Sequence, residues 1–238
     1  VYGVEGSKPG AAAAAVYFSH KVIRPNMSGY GKISGECFFN AKRFYAALVC
    51  LNIQNLPFFV VPLIPIPTVQ QNLPAPQVLQ QYQFIRDRIV NVSNQQLIND
   101  PEAFALFKEL GGDQTIITYM YNDYNADGTP TGSMQAINDF NNAIYTAFSF
   151  KPYEKHTEET PIVVTSSQFT RGNVLMDDLR KRLGVNGNDG YNDPINFIIS
   201  TIMNPWLSNT VNGSFIPTLI NIIIQNVSQI ASFRKLQS

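Results

Sequence analysis

Thr115-Ile116-Ile117-Thr118-Tyr119-Met120-Tyr121-Asn122-Asp123-Tyr124 is the stretch on which the fold turns. It is β-branched and aromatic, and Asn125-Ala126-Asp127-Gly128 follows it, the pattern of a strand running into a tight turn. Thr115, Ile117, Tyr119 and Tyr121 fall on one face, and Ile116, Thr118 and Met120 on the other. The alternation is only partial, so the second face also calls for cover. Two later segments have the same character: Pro161 to Phe169, and Asn196 to Met203, stopped by Asn204-Pro205. Leu56 to Ile66, rich in proline, suits an edge strand and an extended segment. Helices with an apolar face separate these segments. One runs from Ser133 to Phe148, one from Asp177 to Leu183 with Gly184 as its stop, and one from Ser214 to Leu236. Gln77 to Val90 and Asp100 to Leu110 read as two more.

The expectation is an α+β fold. Its mostly antiparallel sheet holds the three segments together, and helices cover one face. Ile137–Phe148 and Leu219–Ile230 pack together there. The opposite face is expected to be partly covered by protein from upstream or from another subunit.

Ahead of the first strand the chain is helical. Pro9 suits a first helical turn, and Ala11 to Ala15 lead into Val16-Tyr17-Phe18. Ser28-Gly29-Tyr30-Gly31 reads as a turn. Lys32 to Cys50 is a second helix, with Ile33, Cys37, Phe38, Ala41, Phe44, Tyr45 and Leu48 at three- and four-residue spacing. Residues 1–50 therefore read as the helical end of an upstream domain, and 51–238 as a small α+β domain. The Ala-rich helix is too apolar to stand in water on both sides. It is expected to pack against another chain or the rest of a large domain, across an interface of obligate size.

Of the 238 residues 45% are hydrophobic, enough to build a core, and only 14% are charged, well below the usual quarter. Lys+Arg and Asp+Glu both number 17, which argues against nucleic acid or an anionic membrane as a partner. The longest apolar runs are short and broken by proline, so no membrane span is expected. Cys37 and Cys50 cannot make a disulfide scaffold and read as free buried thiols. With no basic-then-apolar leader at the start of the sequence, a cytoplasmic protein is expected. His156 has no second His or Cys at ligand spacing. Asn122 to Gly128 resembles a calcium loop, but Met134 stands where the distal glutamate would be. No Gly-rich phosphate loop, nucleophile elbow or Ser/His/Asp set occurs.

Three stretches carry a family resemblance: Glu5-Gly6-Ser7-Lys8-Pro9-Gly10-Ala11-Ala12-Ala13-Ala14-Ala15-Val16-Tyr17, His20-Lys21-Val22-Ile23 and Ser28-Gly29-Tyr30-Gly31-Lys32-Ile33. They look like the group II pyridoxal-phosphate-dependent amino-acid decarboxylases, tyrosine decarboxylases above all. Later pieces agree in order: Asn122 to Thr129, Val164 to Phe169, Leu183-Gly184-Val185 and Met203-Asn204-Pro205-Trp206-Leu207.

The resemblance implies a homodimeric fold-type I enzyme, a carboxy-lyase in which pyridoxal phosphate serves as electron sink. The chain would be its C-terminal part, namely the end of the large cofactor domain and the small domain. The cofactor lysine would lie upstream, so that no pyridoxal phosphate is covalently bound here and the chain alone is inactive. Ser7 and Lys8, at a helix N-terminus, would contact the cofactor phosphate, from the neighbouring subunit if the dimer is built that way. Ser166, Ser167 and Ser200 would line the substrate pocket for a small amino acid. Relatives often carry a His in the segment of Ser166 and Ser167 and an Arg at the position of Ile199, so the substrate is left open. His20-Lys21 matches the family's cofactor pair in letters only, and reads instead as a basic last turn of a helix. A decarboxylase-derived binding or structural protein without catalysis shares every one of these residues.

Overall fold

A computed structural model describes residues 10–150, 162–170 and 175–236. Two helices come first, α1 (Gly10–Val22) and α2 (Tyr30–Val49), and α2 tightens into a 3-10 turn, Cys50–Ile53. Then follow β1 (Phe58–Pro62), α3 (Pro67–Gln70), α4 (Ala75–Ile85) continuing as a π-helical turn Arg86–Val90, α5 (Asn94–Asn99) and α6 (Pro101–Glu109). The second half holds β2 (Ile116–Asp123), α7 (Met134–Ala147), β3 (Thr165–Phe169), α8 (Met176–Leu183), β4 (Ile195–Thr201) and α9 (Ile216–Lys235).

The four strands form one sheet in the order β1-β2-β4-β3, and every pair is antiparallel. The three segments expected to share a sheet do so. In β1, Pro62 faces Tyr119 on an edge strand, where a residue without an N–H breaks no ladder bond. One face presents Phe58, Val60, Ile117, Tyr119, Tyr121 and Ile198 to a core shared with α2, α7 and α9. As expected, α7 and α9 pack together against the sheet on this side.

Three amides bond strand backbone where the ladders run out, and a fourth holds a strand side chain. Val60 faces Tyr121. The outward backbone of Val60 is held by Asn52, whose Oδ1 accepts from Val60 N at 2.7 Å and whose Nδ2 donates to Val60 O at 2.8 Å. Tyr121 lies beyond the last β2–β4 pair and is held in the same manner by Asn141 of α7, at 2.9 Å and 2.8 Å. Beside it Asn138 takes Asn196 N and donates to Pro194 O, and Asn142 Oδ1 accepts from Asn196 Nδ2. A buried N–H or C=O without a partner costs about 1–3 kcal/mol, so Asn138 and Asn141 tie α7 to the sheet alongside its apolar face.

The opposite face corrects the one-sided layer. α8 lies there and closes it with Met176, Leu179 and Leu183 against Val61, Met120, Ile195 and Phe197. The cover comes from this chain itself. The charge order of α8 suits its dipole, with Asp177 and Asp178 in the first turn and Arg180, Lys181 and Arg182 in the last. It ends at Gly184, whose φ of +81° permits the left-handed cap. Arg182 pairs with Asp178 at 2.7 Å and reaches the Pro62 and Leu63 carbonyls at the end of β1.

From Asn40 to Leu51 every residue but Lys42 is buried, in the core that also holds the sheet and α9. That core runs through residue 50, with Val49, Cys50 and Leu51 all in it. By length and composition α9 alone among the described residues could cross a membrane. In this fold it lays Ile220, Ile223, Val227 and Ala231 into the core. None of α1 is buried, and Ala11 to Ala15 are exposed with Val16, Tyr17, Phe18 and Val22.

Candidate functional site

Ser7 and Lys8 lie outside the described residues. The helix they would open, α1, is joined to α2 by a compact turn. Asn26 Oδ1 accepts from Ser28 N and Gly29 N at 3.1 Å, and Ser19 Oγ lies 2.5 Å from Tyr30 Oη. Gly29 is obligatory, because a Cβ there would sit 2.0 Å from Arg24 O. His20 meets the edge of the Tyr30 ring, and Lys21 Nζ stands 5.3 Å from the Tyr17 ring centroid on the exposed last turn. Lys21 therefore sits as a basic helix terminus.

The three serines do not converge. Ser200 is buried on β4, and its Oγ lies 2.8 Å from Tyr119 Oη in the core. It also borders a cavity of about 260 Å³ walled mostly by apolar residues, among them Phe44, Val163, Met203 and Leu219. Ser166 and Ser167 are exposed on edge strand β3. Ser166 pairs with Ile198 and so shares the face of Ser200, whereas Ser167 pairs with Phe197 and faces the other way. Neither lines that cavity.

Next to Ser200 the hydroxyls form a short buried row. Burial pushes the Tyr119 phenol up to about 12, a rise that the Ser200 and Tyr121 hydroxyls temper. Tyr121 is held well above its usual value, by burial first. Its ring packs edge-on against Tyr119 and Phe58, and its hydroxyl has no hydrogen-bond partner of good geometry.

A cavity of about 940 Å³ lies beside the second half of α2. It opens between the second half of α2, the π-helical turn, the approach to α5, the loop 208–214 and the start of α9. Two guanidiniums, Arg43 and Arg86, stand on its wall, and no carboxylate does. Arg43 is buried and donates to the Ile89 carbonyl and to Val92 O at 2.8 Å. Burial lowers its pKa to about 10, and no charged group offsets that. Asn94 Nδ2 donates to Ser208 Oγ at 2.9 Å, while Asn94 Oδ1 is buried without a partner. Ser208 Oγ in turn donates to Asn40 Oδ1.

Apolar spacing along the helix does not single out Arg43, because its burial follows from packing on both sides of α2. The signal in the sequence is that Asn40, Lys42 and Arg43 are polar inside the otherwise apolar run Cys37 to Leu51. Cys37 and Cys50 are free and buried, as read from the sequence. Burial, the larger cause, raises both thiols, that of Cys50 to about 12, which removes them as nucleophiles near neutrality. Among the described residues no group of three or more His, Cys, Asp and Glu could hold a metal.

Pyridoxal phosphate linked to lysine needs an ammonium that can shed its proton inside a pocket. Lys42 donates to the Lys108 and Leu110 carbonyls at 2.9 Å and 2.8 Å and pairs with Asp113 at 3.3 Å, so its ammonium is already committed to three acceptors. Lys21 is solvent-facing. Neither fits that linkage.

Part of the chain is similar to known enzymes. Over 59 residues it is 42% identical to an L-tyrosine decarboxylase of Levilactobacillus brevis, covering 25% of this chain and 9% of that protein. Over 43 residues it is 49% identical to an L-tyrosine decarboxylase of Enterococcus faecium, covering 18% and 7%. The L-tyrosine decarboxylase of Enterococcus faecalis is 46% identical over 44 residues, covering 18% and 7%. The match spans less than a tenth of the length of these curated relatives. No family model matches the chain.

Proposed function

We propose that this chain is the C-terminal part of a pyridoxal-phosphate-dependent L-amino-acid decarboxylase acting on tyrosine or a similar aromatic amino acid. The observation that carries the reading is the 42–49% identity with three L-tyrosine decarboxylases over 43 to 59 residues. In this reading the lysine linkage belongs upstream, which agrees with the surroundings of Lys21 and Lys42. Bound there, the cofactor supplies the electron sink for loss of CO2. Ser7 and Lys8, ahead of α1 in the sequence, contact its phosphate. Ser200, and Ser166 on the same face, stand nearest the substrate side.

The exposed apolar length of α1 supports a partner surface. Ala11 to Ala15, Val16, Tyr17, Phe18 and Val22 are uncovered by the rest of the described chain. The reading covers them with the upstream domain or the second subunit of a homodimer in the cytoplasm.

The test is chemical. The 238-residue chain, given pyridoxal phosphate and L-tyrosine, is expected to release no tyramine. Borohydride reduction and peptide mapping are expected to find no pyridoxyl-lysine in it. The native polypeptide, extended upstream, should do both. Tyramine from the isolated chain, a pyridoxyl-lysine at Lys21 or any other lysine of the 238, or a native polypeptide without decarboxylation would each overturn the reading.

A further inference from the structure

The cavity beside Arg43 belongs to no part of the decarboxylase reading. A buried cation is costly unless an anion meets it. Arg86 has one, since its Nε lies 2.7 Å from Asp87 Oδ1. Arg43, only 7% exposed, has two carbonyls, which accept hydrogen bonds but carry no net charge. A guanidinium has five N–H donors, so donors remain after those two bonds.

The cavity wall also carries apolar side chains, Ala47 from α2 and Ile216, Ile220 and Ile224 from α9. Two guanidiniums exclude a cationic ligand. One unpaired cation suits a single negative charge better than a polyphosphate.

We propose that this cavity binds a small organic monoanion: a carboxylate on Arg43 and an apolar ring or chain against the α9 isoleucines. The volume suits such a molecule, small-ligand sites commonly holding about 300–1,000 Å³. The apolar wall supplies contact area, and the carboxylate fixes one end. The site stands without the decarboxylase assignment and falls separately from it.

Titration calorimetry of the 238-residue chain at low salt tests this with three probes of one shape. 4-Hydroxybenzoate and benzoate, which both carry the carboxylate, should bind. Benzamide, which lacks the charge, should bind at least about a hundredfold more weakly. Arg43→Lys keeps the charge but loses the planar fork and should weaken 4-hydroxybenzoate about tenfold. Asn221 is an exposed residue of α9 that lines the cavity. Asn221→Trp should therefore fill the cavity without touching the core, abolishing binding at an unchanged melting temperature. Benzamide binding as well as benzoate, undiminished binding to Asn221→Trp, or no heat from any probe at millimolar concentration would each overturn the site.

Discussion

Two neighbouring tyrosines on one strand should respond to the same substitution with opposite sign. Tyr119 and Tyr121 share a face of β2 and are 2% and 1% exposed. The Tyr119 hydroxyl is bonded to Ser200 Oγ at 2.8 Å, whereas that of Tyr121 has no partner of good geometry. In the unfolded chain both are hydrated. A buried hydroxyl left unpaired costs about 1–3 kcal/mol. Tyr121→Phe removes that cost and keeps the ring contacts with Phe58 and Tyr119. The oxygen-sized void it leaves subtracts a few tenths of a kcal/mol. The net is a gain of about 1 kcal/mol, or about 2–4 °C in melting temperature for a chain of this size.

Tyr119→Phe does the reverse. It removes a bond and strands the Ser200 hydroxyl, 7% exposed, for a loss of about 1–2 kcal/mol. Adding Ser200→Ala should recover part of it, a coupling of about 1 kcal/mol. Urea unfolding of the four proteins reads all of this. If Tyr121→Phe destabilises as much as Tyr119→Phe, its hydroxyl is bonded in solution and the reasoning fails.

Asn141→Ala should cost about 2–4 kcal/mol, since it strands both the N–H and the C=O of buried Tyr121; chemical denaturation checks it, and a loss below about 1 kcal/mol would mean that water replaces the amide. Gly184→Ala should lower stability by at least about 1–2 kcal/mol, because φ is +81° and the new Cβ would sit 2.8 Å from Pro130 Cβ; thermal melting measures it. Stability should fall between about pH 9 and pH 12. Burial raises Cys50 and Tyr119 to about 12 and holds Tyr45 and Tyr121 up as well. The unfolded chain ionises these groups near 9 and 10 while the folded one resists. Their contribution is therefore whole below pH 9 and lost upward, at up to about 1.4 kcal/mol per group per pH unit. Arg43, lowered by burial to about 10, acts with the opposite sign above pH 10 but is outnumbered. Unfolding midpoints at matched ionic strength, below and above pH 9, read the sign.

The sequence by itself determined the elements. Local signals are short-range: β-branched runs between turn residues place β2 and β4, three-and-four spacing places α2, α7 and α9, and a single glycine ends α8. α5 was missed although its signal is present, since Ser93 and Gln96 form a capping box. It has only six residues, too few for a periodicity to show. The family resemblance was read in residues 5–33 and in the order of later motifs; the identity to L-tyrosine decarboxylases is local and covers 18–25% of the chain.

Only the tertiary structure decided what faces what. No local rule sends α8 to the far side of the sheet. Its apolar side fits there because Val61, Met120 and Phe197 project from that face, and Arg182 reaches the end of β1. Ser166 and Ser167 are adjacent in sequence, and the two-residue pleat of a strand puts them on opposite faces. Ser200 reads as an ordinary strand residue until its partner Tyr119, 81 residues away in the chain, is known. Arg43 is unremarked on a helical wheel, and becomes a buried cation because α9 and the π-helical turn close over it. Burial and pairing are sums over distant parts of the chain, and periodicity along one element cannot contain them.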